Sequence, residues 1–138
     1  MKACAFCAIV RGEAPAEVVL DDEAAVAFLD ARPLFQGHVL IVPRAHVGTL
    51  PELPASDVGP LFARVQLLAT AVPVALGSQG TFVAINNGVS QSVPHLHVHV
   101  VPRTKGDGLK GFFWPRSKYP SAEAMREVGA KIRAALAG

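Results

Sequence analysis

Residues 94–102 read Pro-His-Leu-His-Val-His-Val-Val-Pro and contain three of the five histidines of the chain. Side chains of a β-strand alternate between its two faces. A strand over residues 93–101 therefore places the three histidines on one face and Leu96, Val98 and Val100 on the other. We predict such a strand, with its apolar face in the core and its histidine face available for chemistry.

The alternating histidines indicate a functional site. A single histidine in an apolar strand is usually a core residue, but strict alternation of His95, His97 and His99 is not explained by packing. Clustered imidazoles disfavour one another's protonation, so at least one of them should stay neutral near pH 7. A neutral imidazole can attack an electrophile or bind a metal ion, and the pattern by itself leaves both roles open.

Further strands are predicted in the sequence that precedes this stretch. Four further segments have the apolar content and the turn signals of short strands: residues 17–20, 24–29, 38–42 and 81–86. We expect a hairpin turn at Asp21 and Asp22 between the first two, and a loop over residues 31–37 before the third.

Two helices are predicted as well. Apolar residues recur at spacings of three and four over residues 56–72, with Pro73 expected to end or kink the helix. A last helix is expected after Pro120, with Ser121 as its N-cap. This order of elements predicts a single α+β domain over residues 1–138, built on an antiparallel sheet of about five strands.

Composition narrows the class of protein. A length of 138 residues suits one domain, and 51% hydrophobic with 17% charged residues excludes a disordered chain. A net charge of +2 is too small to suggest a general nucleic-acid or membrane partner. The first ten residues have neither a cleavage-type site nor the length of a membrane span. We therefore expect a soluble cytoplasmic protein.

The sequence resembles the histidine triad superfamily. Residues 95–101 match its pattern His-φ-His-φ-His-φ-φ, in which φ is hydrophobic, at every position. Other segments are also similar, from about Cys4 to Arg103: Gln91-Ser92-Val93, residues 37–43, and Asp30 placed eight residues before His38. The resemblance implies a HIT-like fold whose sheet extends across a homodimer.

The resemblance also implies an activity. In this family the middle histidine of the triad, here His97, attacks the α-phosphorus of a nucleotide conjugate and carries the nucleotidyl group covalently. His99 and His38 would contact the phosphate and hold the nucleophile in its reactive tautomer. The implied reaction is hydrolysis or transfer at a nucleoside 5′-monophosphate held in a phosphoramidate or a dinucleoside polyphosphate, releasing a nucleotide such as AMP. No catalytic metal is expected.

By the same resemblance, further residues would contact a nucleotide, with a purine expected as its base. Asp30 would accept from the ribose hydroxyls. Asn86, Gln91 and Ser92 would lie beside the phosphate or the leaving group. The base pocket would be lined by three apolar residues: Phe6, Ile9 and Phe28. The chain departs from the family at Ser90, where a glycine usually precedes the glutamine, and its loop between residues 86 and 95 is shorter than in the hint branch.

The two cysteines, Cys4 and Cys7, have the spacing of metal ligands but also suit a redox pair or two buried thiols. Some bacterial histidine triad proteins hold a structural zinc with such a pair, together with a histidine eight residues after the strand histidine and the first triad histidine. These positions are His46 and His95 here. Two thiolates and two imidazoles make a closed tetrahedral set, so the resemblance implies structural zinc without a catalytic role.

Two other functions and one segment remain open at this stage. The three alternating histidines could share a catalytic zinc in a metal-dependent hydrolase, or the chain could bind nucleotides without turnover. Residues 103–118 combine basic and aromatic side chains, including Lys105, Lys110, Trp114 and Arg116. They could cover the nucleotide site or anchor the dimer, and single-stranded nucleic acid is the least favoured ligand.

Overall fold

The computed structural model of the chain describes residues 3–110 and 116–138. It contains two compact units, Met1–Asp107 and Gly108–Gly138. The expectation of a single domain over residues 1–138 stays a prediction.

The first unit is built on a five-stranded antiparallel sheet. Its elements in chain order are α1 (Ala5–Val10), β1 (Val18–Asp21), β2 (Ala25–Leu29), β3 (Val39–Pro43), a 3-10 turn (Leu50–Glu52), α2 (Ala55–Leu76), β4 (Gly80–Ala84) and β5 (Val98–Arg103). The strands lie in the order β1-β2-β3-β5-β4. The predicted α+β class and the sheet of about five antiparallel strands are confirmed.

Among its described residues, the second unit contains the helix α3 (Ala122–Ala137). Ser121 caps it as predicted, since the hydroxyl oxygen accepts from the N–H of Ala124 at 3.1 Å.

The two faces of the sheet have different partners. One face packs against the apolar side of α2, and the residues of this first core cluster include Ala25, Ala27, Val39, Ile41, Val98 and Val100 of the strands with Leu61, Val65, Leu68 and Val72 of α2. The other face carries a second cluster: Val26, Phe28, Leu40 and Val42 with Phe6 of α1. Leu40 is paired with His99 across β3 and β5, so His99 lies on the face of the second cluster.

Helix α2 runs past the point where its sequence predicted an end. Pro73 lies inside the helix, which continues to Leu76, so an end at Pro73 is wrong, and the alternative expectation of a kink there stays a prediction. Gly77 ends it in a left-handed conformation (φ 71°) and donates its N–H to the carbonyl of Pro73 at 2.8 Å. Pro73 has no N–H donor, so α2 lacks one backbone hydrogen bond. The burial of Val72 and the cap at Gly77 stabilise the helix enough to offset this loss.

By length and apolar composition, α2 would also qualify as a membrane-crossing helix. Its inward side chains belong to the core against the sheet, and the core helix of a globular domain has the same composition.

Strand β5 begins later than predicted. The expected strand over residues 93–101 is wrong at its start, because β5 begins at Val98 and both His95 and His97 precede it. The N–H of His95 donates to the carbonyl of Val93 at 2.8 Å, and that of Leu96 donates to the carbonyl of Val47 at 2.7 Å. These amides are therefore unavailable to the sheet. The alternation still holds, since Leu96 packs in the first core cluster.

Smaller differences concern the amino-terminal part. The hairpin between β1 and β2 is confirmed, and its turn is closed by Asp22, whose carboxylate accepts from the N–H groups of Ala24 and Ala25. Helix α1 was not predicted, because six residues are too few to show a helical period.

The burial pattern predicts unequal costs for one chemical change at two sites. Val100→Ala removes two methyl groups from a fully buried position and should lower the free energy of unfolding by about 2–3 kcal/mol. Val19→Ala, on the edge strand with 48% of the residue exposed, is the matched control and should cost less than about 1 kcal/mol. Denaturant unfolding of both variants measures the difference, and equal losses would contradict the assignment of the core.

Candidate active site

Three histidines meet on the face of the sheet that carries the second core cluster. His38 comes directly before β3, His99 lies within β5, and His97 lies directly before β5. The ring centroids are 5.1 Å apart for His38 and His99 and 5.0 Å apart for His97 and His99. The structure thus brings together the three residues that the sequence analysis assigned to catalysis.

The orientation of His97 follows from one hydrogen bond. Its Nδ1 lies 2.7 Å from the backbone carbonyl of His95. A carbonyl oxygen only accepts, so Nδ1 carries the proton and donates it. The Nε2 atom of the neutral ring then holds a free lone pair. His97 is 4% exposed, so this lone pair lies in a nearly dry environment.

A second chain of hydrogen bonds fixes the tautomers of His38 and His99. The backbone N–H of Leu34 donates to Nδ1 of His38 at 3.1 Å. The proton of a neutral His38 ring is therefore on Nε2, which donates to Nδ1 of His99 at 2.9 Å. By the same argument the proton of His99 is on Nε2. The chain ends in an N–H donor on the ring that neighbours His97.

Burial keeps these donors neutral. Desolvation, together with the neighbouring His97 and His38 rings, lowers the pKa of His99 to about 4. Desolvation also lowers the pKa of His38, although the nearby Asp30 carboxylate opposes the shift. The carboxylate of Asp30 lies 3.8 Å from Nδ1 of His38 and accepts from the N–H of Arg32 at 2.9 Å. Both rings are thus uncharged near pH 7.

An apolar wall stands beside the histidines. The Phe6 ring meets the His97 ring edge-on at a centroid distance of 5.0 Å and the Phe28 ring at 5.3 Å. Ile9 packs against the same cluster. The three apolar residues expected to line a base pocket therefore lie together on the histidine face.

The loop before His95 differs in part from the expectation. The side-chain amide of Gln91 is engaged with backbone groups: it donates to the carbonyls of Gly48 (2.6 Å) and Val93 (3.1 Å) and accepts from the N–H of Gly88 (2.8 Å). Asn86 and Ser92 are exposed. Contacts from these three residues to a phosphate stay a prediction.

Ser90, within the same loop, adopts a left-handed backbone conformation with φ 61°. Among the described residues it is the only non-glycine with positive φ. Glycine adopts this conformation without steric cost, which gives a physical reason for the glycine that the family usually has there.

Only part of the predicted basic and aromatic loop can be placed. The guanidinium of Arg103 is paired with the carboxylate of Asp107 at 2.7 and 3.1 Å. Residues 111–115, including Trp114, lie outside the described residues. The two functions considered for residues 103–118, covering the site and anchoring a dimer, stay predictions.

A cluster of two thiols and two imidazoles lies next to the histidine site. Cys4 is the N-cap of α1 and Cys7 lies in its first turn, and the spacing of three residues places both thiols on one side of this helix. One ligand atom from each of Cys4, Cys7, His46 and His95 can be chosen so that all lie within 4.8 Å of one another.

The donor atoms of this cluster suit a metal ion. His95 donates its Nε2 proton to the carbonyl of Pro43 at 3.1 Å, which leaves Nδ1 as a lone pair 3.4 Å from Sγ of Cys4 and 3.5 Å from Sγ of Cys7. Nδ1 of His46 lies 3.2 Å from Sγ of Cys7. Burial and the neighbouring Cys4 thiol raise the pKa of Cys7, and a bound dication would offset this. Two sulfurs and two imidazole nitrogens fit zinc.

A shared catalytic metal on the triad itself does not fit this geometry. His95 directs its ring to the thiols, whereas His97 uses Nδ1 for the His95 carbonyl. In the part of the chain that the structure describes, the groups able to converge on one ion do not include the set His95, His97 and His99.

Sequence reasoning missed the backbone groups that fix the tautomers, namely the carbonyl of His95, the carbonyl of Pro43 and the N–H of Leu34. Every residue has a backbone carbonyl and every residue except proline has an N–H, so no pattern of side chains marks the groups that are used.

Comparison with known proteins agrees with this geometry. A family model described as the HIT domain matches residues 11–106. The chain is 39% identical over 108 residues to an adenylylsulfatase of Arabidopsis thaliana, covering 77% of this chain and 55% of that protein. It is 33% identical over 135 residues to an adenosine 5′-monophosphoramidase of Schizosaccharomyces pombe, covering 94% of this chain and 95% of that protein.

Among solved structures, a zinc-bound histidine triad family protein from Mycobacterium smegmatis is similar with a TM-score of 0.74 and 38% identity, covering 96% of this chain and 97% of the other. The family match spans more than half of the chain and includes His38, His46 and the whole triad. On this sequence match, and with the histidine geometry described above, the chain belongs to the histidine triad (HIT) family.

Proposed function

We propose that this protein is a nucleotide hydrolase or nucleotidyl transferase that acts at the α-phosphate of nucleoside 5′-monophosphate conjugates. The observation that carries the proposal is the hydrogen bond from Nδ1 of His97 to the carbonyl of His95 at 2.7 Å, which leaves Nε2 as a buried nucleophile. Relatives named as an adenylylsulfatase and an adenosine 5′-monophosphoramidase support adenylate conjugates as the substrate class.

The reaction proceeds in two displacements. In the first, the Nε2 lone pair of His97 forms a bond to the α-phosphorus, the bond from phosphorus to the leaving group breaks, and the leaving group departs with the bonding pair and takes up a proton. In the second, water attacks the same phosphorus and loses a proton, which balances the proton taken up by the leaving group. The P–N bond breaks, its electron pair returns to Nε2 of His97, and a nucleoside monophosphate is released. Another acceptor in place of water makes the reaction a transfer. Non-catalytic nucleotide binding is the alternative, and it predicts no covalent adduct.

His99 and His38 stabilise the phosphate during both displacements. The Nε2–H group of His99 is a neutral, preoriented donor beside His97, and His38 holds it in that tautomer. Donors that are already aligned need no reorganisation as charge develops on the phosphate oxygens.

The nucleotide is placed across the same face of the sheet. Phe6, Ile9 and Phe28 form the apolar side on which a purine packs. Asp30 accepts from the ribose hydroxyls, and Asn86, Gln91 and Ser92 lie toward the phosphate and the leaving group. These contacts follow from the family resemblance, and their support here is the position of the apolar cluster beside His97.

Structural zinc is proposed at Cys4, Cys7, His46 and His95. The convergence of their ligand atoms and the zinc-bound relative from Mycobacterium smegmatis support it. Such an ion would hold α1 against the loops that carry His46 and His95. The chemistry at phosphorus needs no metal in this scheme.

A homodimer is proposed on the outer side of α2 and the edge strand β4. Large apolar residues are exposed there, including Leu67 (60%), Val74 (83%) and Val83 (41%). Strand β4 is at one end of the sheet, so a second copy could extend the sheet across it. We also propose a reducing, cytoplasmic location, since thiol ligands must stay reduced to bind a metal.

Removal of the nucleophile should separate binding from turnover. His97→Asn should abolish release of nucleoside monophosphate from an adenylate conjugate, while AMP still binds, because the pocket and the His99 donor remain. Mass spectrometry of quenched wild-type reactions should show a nucleotidyl adduct on His97. An adduct on another residue, or normal turnover in the variant, would contradict the mechanism.

The lowered pKa of His99 predicts a pH dependence of stability. The folded state favours the neutral ring, whereas the unfolded chain takes up a proton below its ordinary pKa of 6.5, so stability is lost as pH falls from 6.5 toward about 4. His99→Asn removes this proton uptake, and the amide oxygen can still accept from His38. Between pH 7.5 and 5 the wild type should lose on the order of 1–2 kcal/mol more than the variant. Parallel unfolding curves against pH would contradict the assignment.

Metal analysis tests the zinc proposal. The purified, reduced protein should contain about one zinc per chain, and Cys4→Ser should lower both the zinc content and the thermal midpoint. Purification under a thiol reductant is the control for oxidised cysteines. A metal-free wild type whose thermal midpoint does not rise when zinc is added would exclude the site.

A further inference from the structure

His95 belongs to two sites at once. Its ring directs Nδ1 toward the thiols of Cys4 and Cys7, while its backbone carbonyl accepts the Nδ1 proton of His97 at 2.7 Å. If the His95 ring moves and its backbone moves with it, the His95 carbonyl moves as well. Such a movement therefore disturbs the hydrogen bond that sets the His97 tautomer. The residue is fully buried, so little space is available for an independent adjustment.

Phe6 provides a second connection between the same two sites. It lies between Cys4 and Cys7 in α1, is 8% exposed, and meets the His97 ring edge-on at 5.0 Å with an interplanar angle of 84°. It also meets the His95 ring at 6.0 Å. Phe6 thus forms one wall of the space in which the nucleophile turns.

The position of Phe6 depends on what holds α1. A helix of six residues has no stability of its own, since nucleation costs more than so few hydrogen bonds return. Its attachments to the sheet side include the packing of Phe6 in the second core cluster and the approach of the two thiols to His46 and His95. A metal ion that joins these four side chains would convert weak contacts into a fixed attachment.

We propose that Phe6 is a positioning residue for His97, and that the Cys4/Cys7/His46/His95 cluster, when it holds zinc, fixes the reactive tautomer of His97 through Phe6 and the His95 carbonyl. The inference rests on the proposed function in one respect, namely that His97 is the nucleophile. The metal has no contact with phosphorus. Its effect on turnover is indirect, and it passes through two named residues of this chain.

The test reads the His97 ring directly in protein that contains no nucleotide. Long-range proton–nitrogen NMR spectra of zinc-loaded protein with labelled histidine show which ring nitrogen carries the proton. In the wild type His97 should show only the Nδ1–H tautomer. Removal of zinc with a chelator should produce a mixture of the two tautomers, and so should Phe6→Leu with zinc still bound.

The Phe6→Leu variant keeps the test decisive if the wild-type protein unfolds when zinc is removed. Phe6→Leu retains both cysteines and an apolar side chain, so zinc content should stay at the wild-type level while kcat falls by roughly 10- to 100-fold, as expected for a misplaced nucleophile. Val26→Ala is the matched control: Val26 is in the same cluster and 1% exposed, so its truncation should lower stability, and it has no aromatic ring to pack against His97 as Phe6 does. This control should keep the single tautomer.

A single Nδ1–H tautomer in zinc-loaded Phe6→Leu, whatever its stability, would overturn the assignment of Phe6. An unchanged tautomer in folded, metal-free wild type would overturn the link to the metal site. Failure of the proposed function gives a different result: the wild type would then show no turnover, or His97→Asn would retain it. The NMR spectra would still report whether Phe6 and the cluster control the His97 ring.

Discussion

The hydrogen bond from Nδ1 of His97 to the carbonyl of His95 orients the group on which the proposed chemistry depends. It exists because the backbone between these residues is held on both sides. The Leu96 side chain is buried in the core shared with α2, and its N–H donates to the carbonyl of Val47 at 2.7 Å. The His95 ring is fixed from the other side by the carbonyl of Pro43. The orientation of the His97 ring is therefore set by the packing of the core and not by a neighbouring carboxylate.

Burial determines how the histidines can act. His38 and His97 are nearly inaccessible, and desolvation lowers the pKa values of His38 and His99. Charged imidazoles would repel one another at ring separations near 5 Å, whereas neutral rings can form a directed chain from the Leu34 amide through His38 to His99. Such a chain provides aligned donors without placing positive charge next to the nucleophile.

Much of the architecture was predictable because it depends on local patterns. Alternation assigned the triad and its apolar partners to opposite faces, the Asp22 turn and the Ser121 cap follow from local hydrogen bonds, and the period of α2 is evident in its apolar residues. The errors occurred where a local rule competed with packing. Pro73 did not end α2, because core contacts and the Gly77 cap compensate for one lost donor.

The sequence by itself determined which side chains are available and which face of the sheet each one occupies, since alternation is a property of the extended chain. The tertiary structure alone decided that β5 begins after His97, that His95 directs its ring to Cys4 and Cys7, and which nitrogen of each ring carries a proton. The start of β5 and the direction of the His95 ring depend on backbone groups that are remote in sequence, namely the Val47 carbonyl that accepts from the Leu96 amide and the Pro43 carbonyl that accepts from His95. Every residue except proline carries the same backbone donor and acceptor, so only their positions after folding select the ones that act.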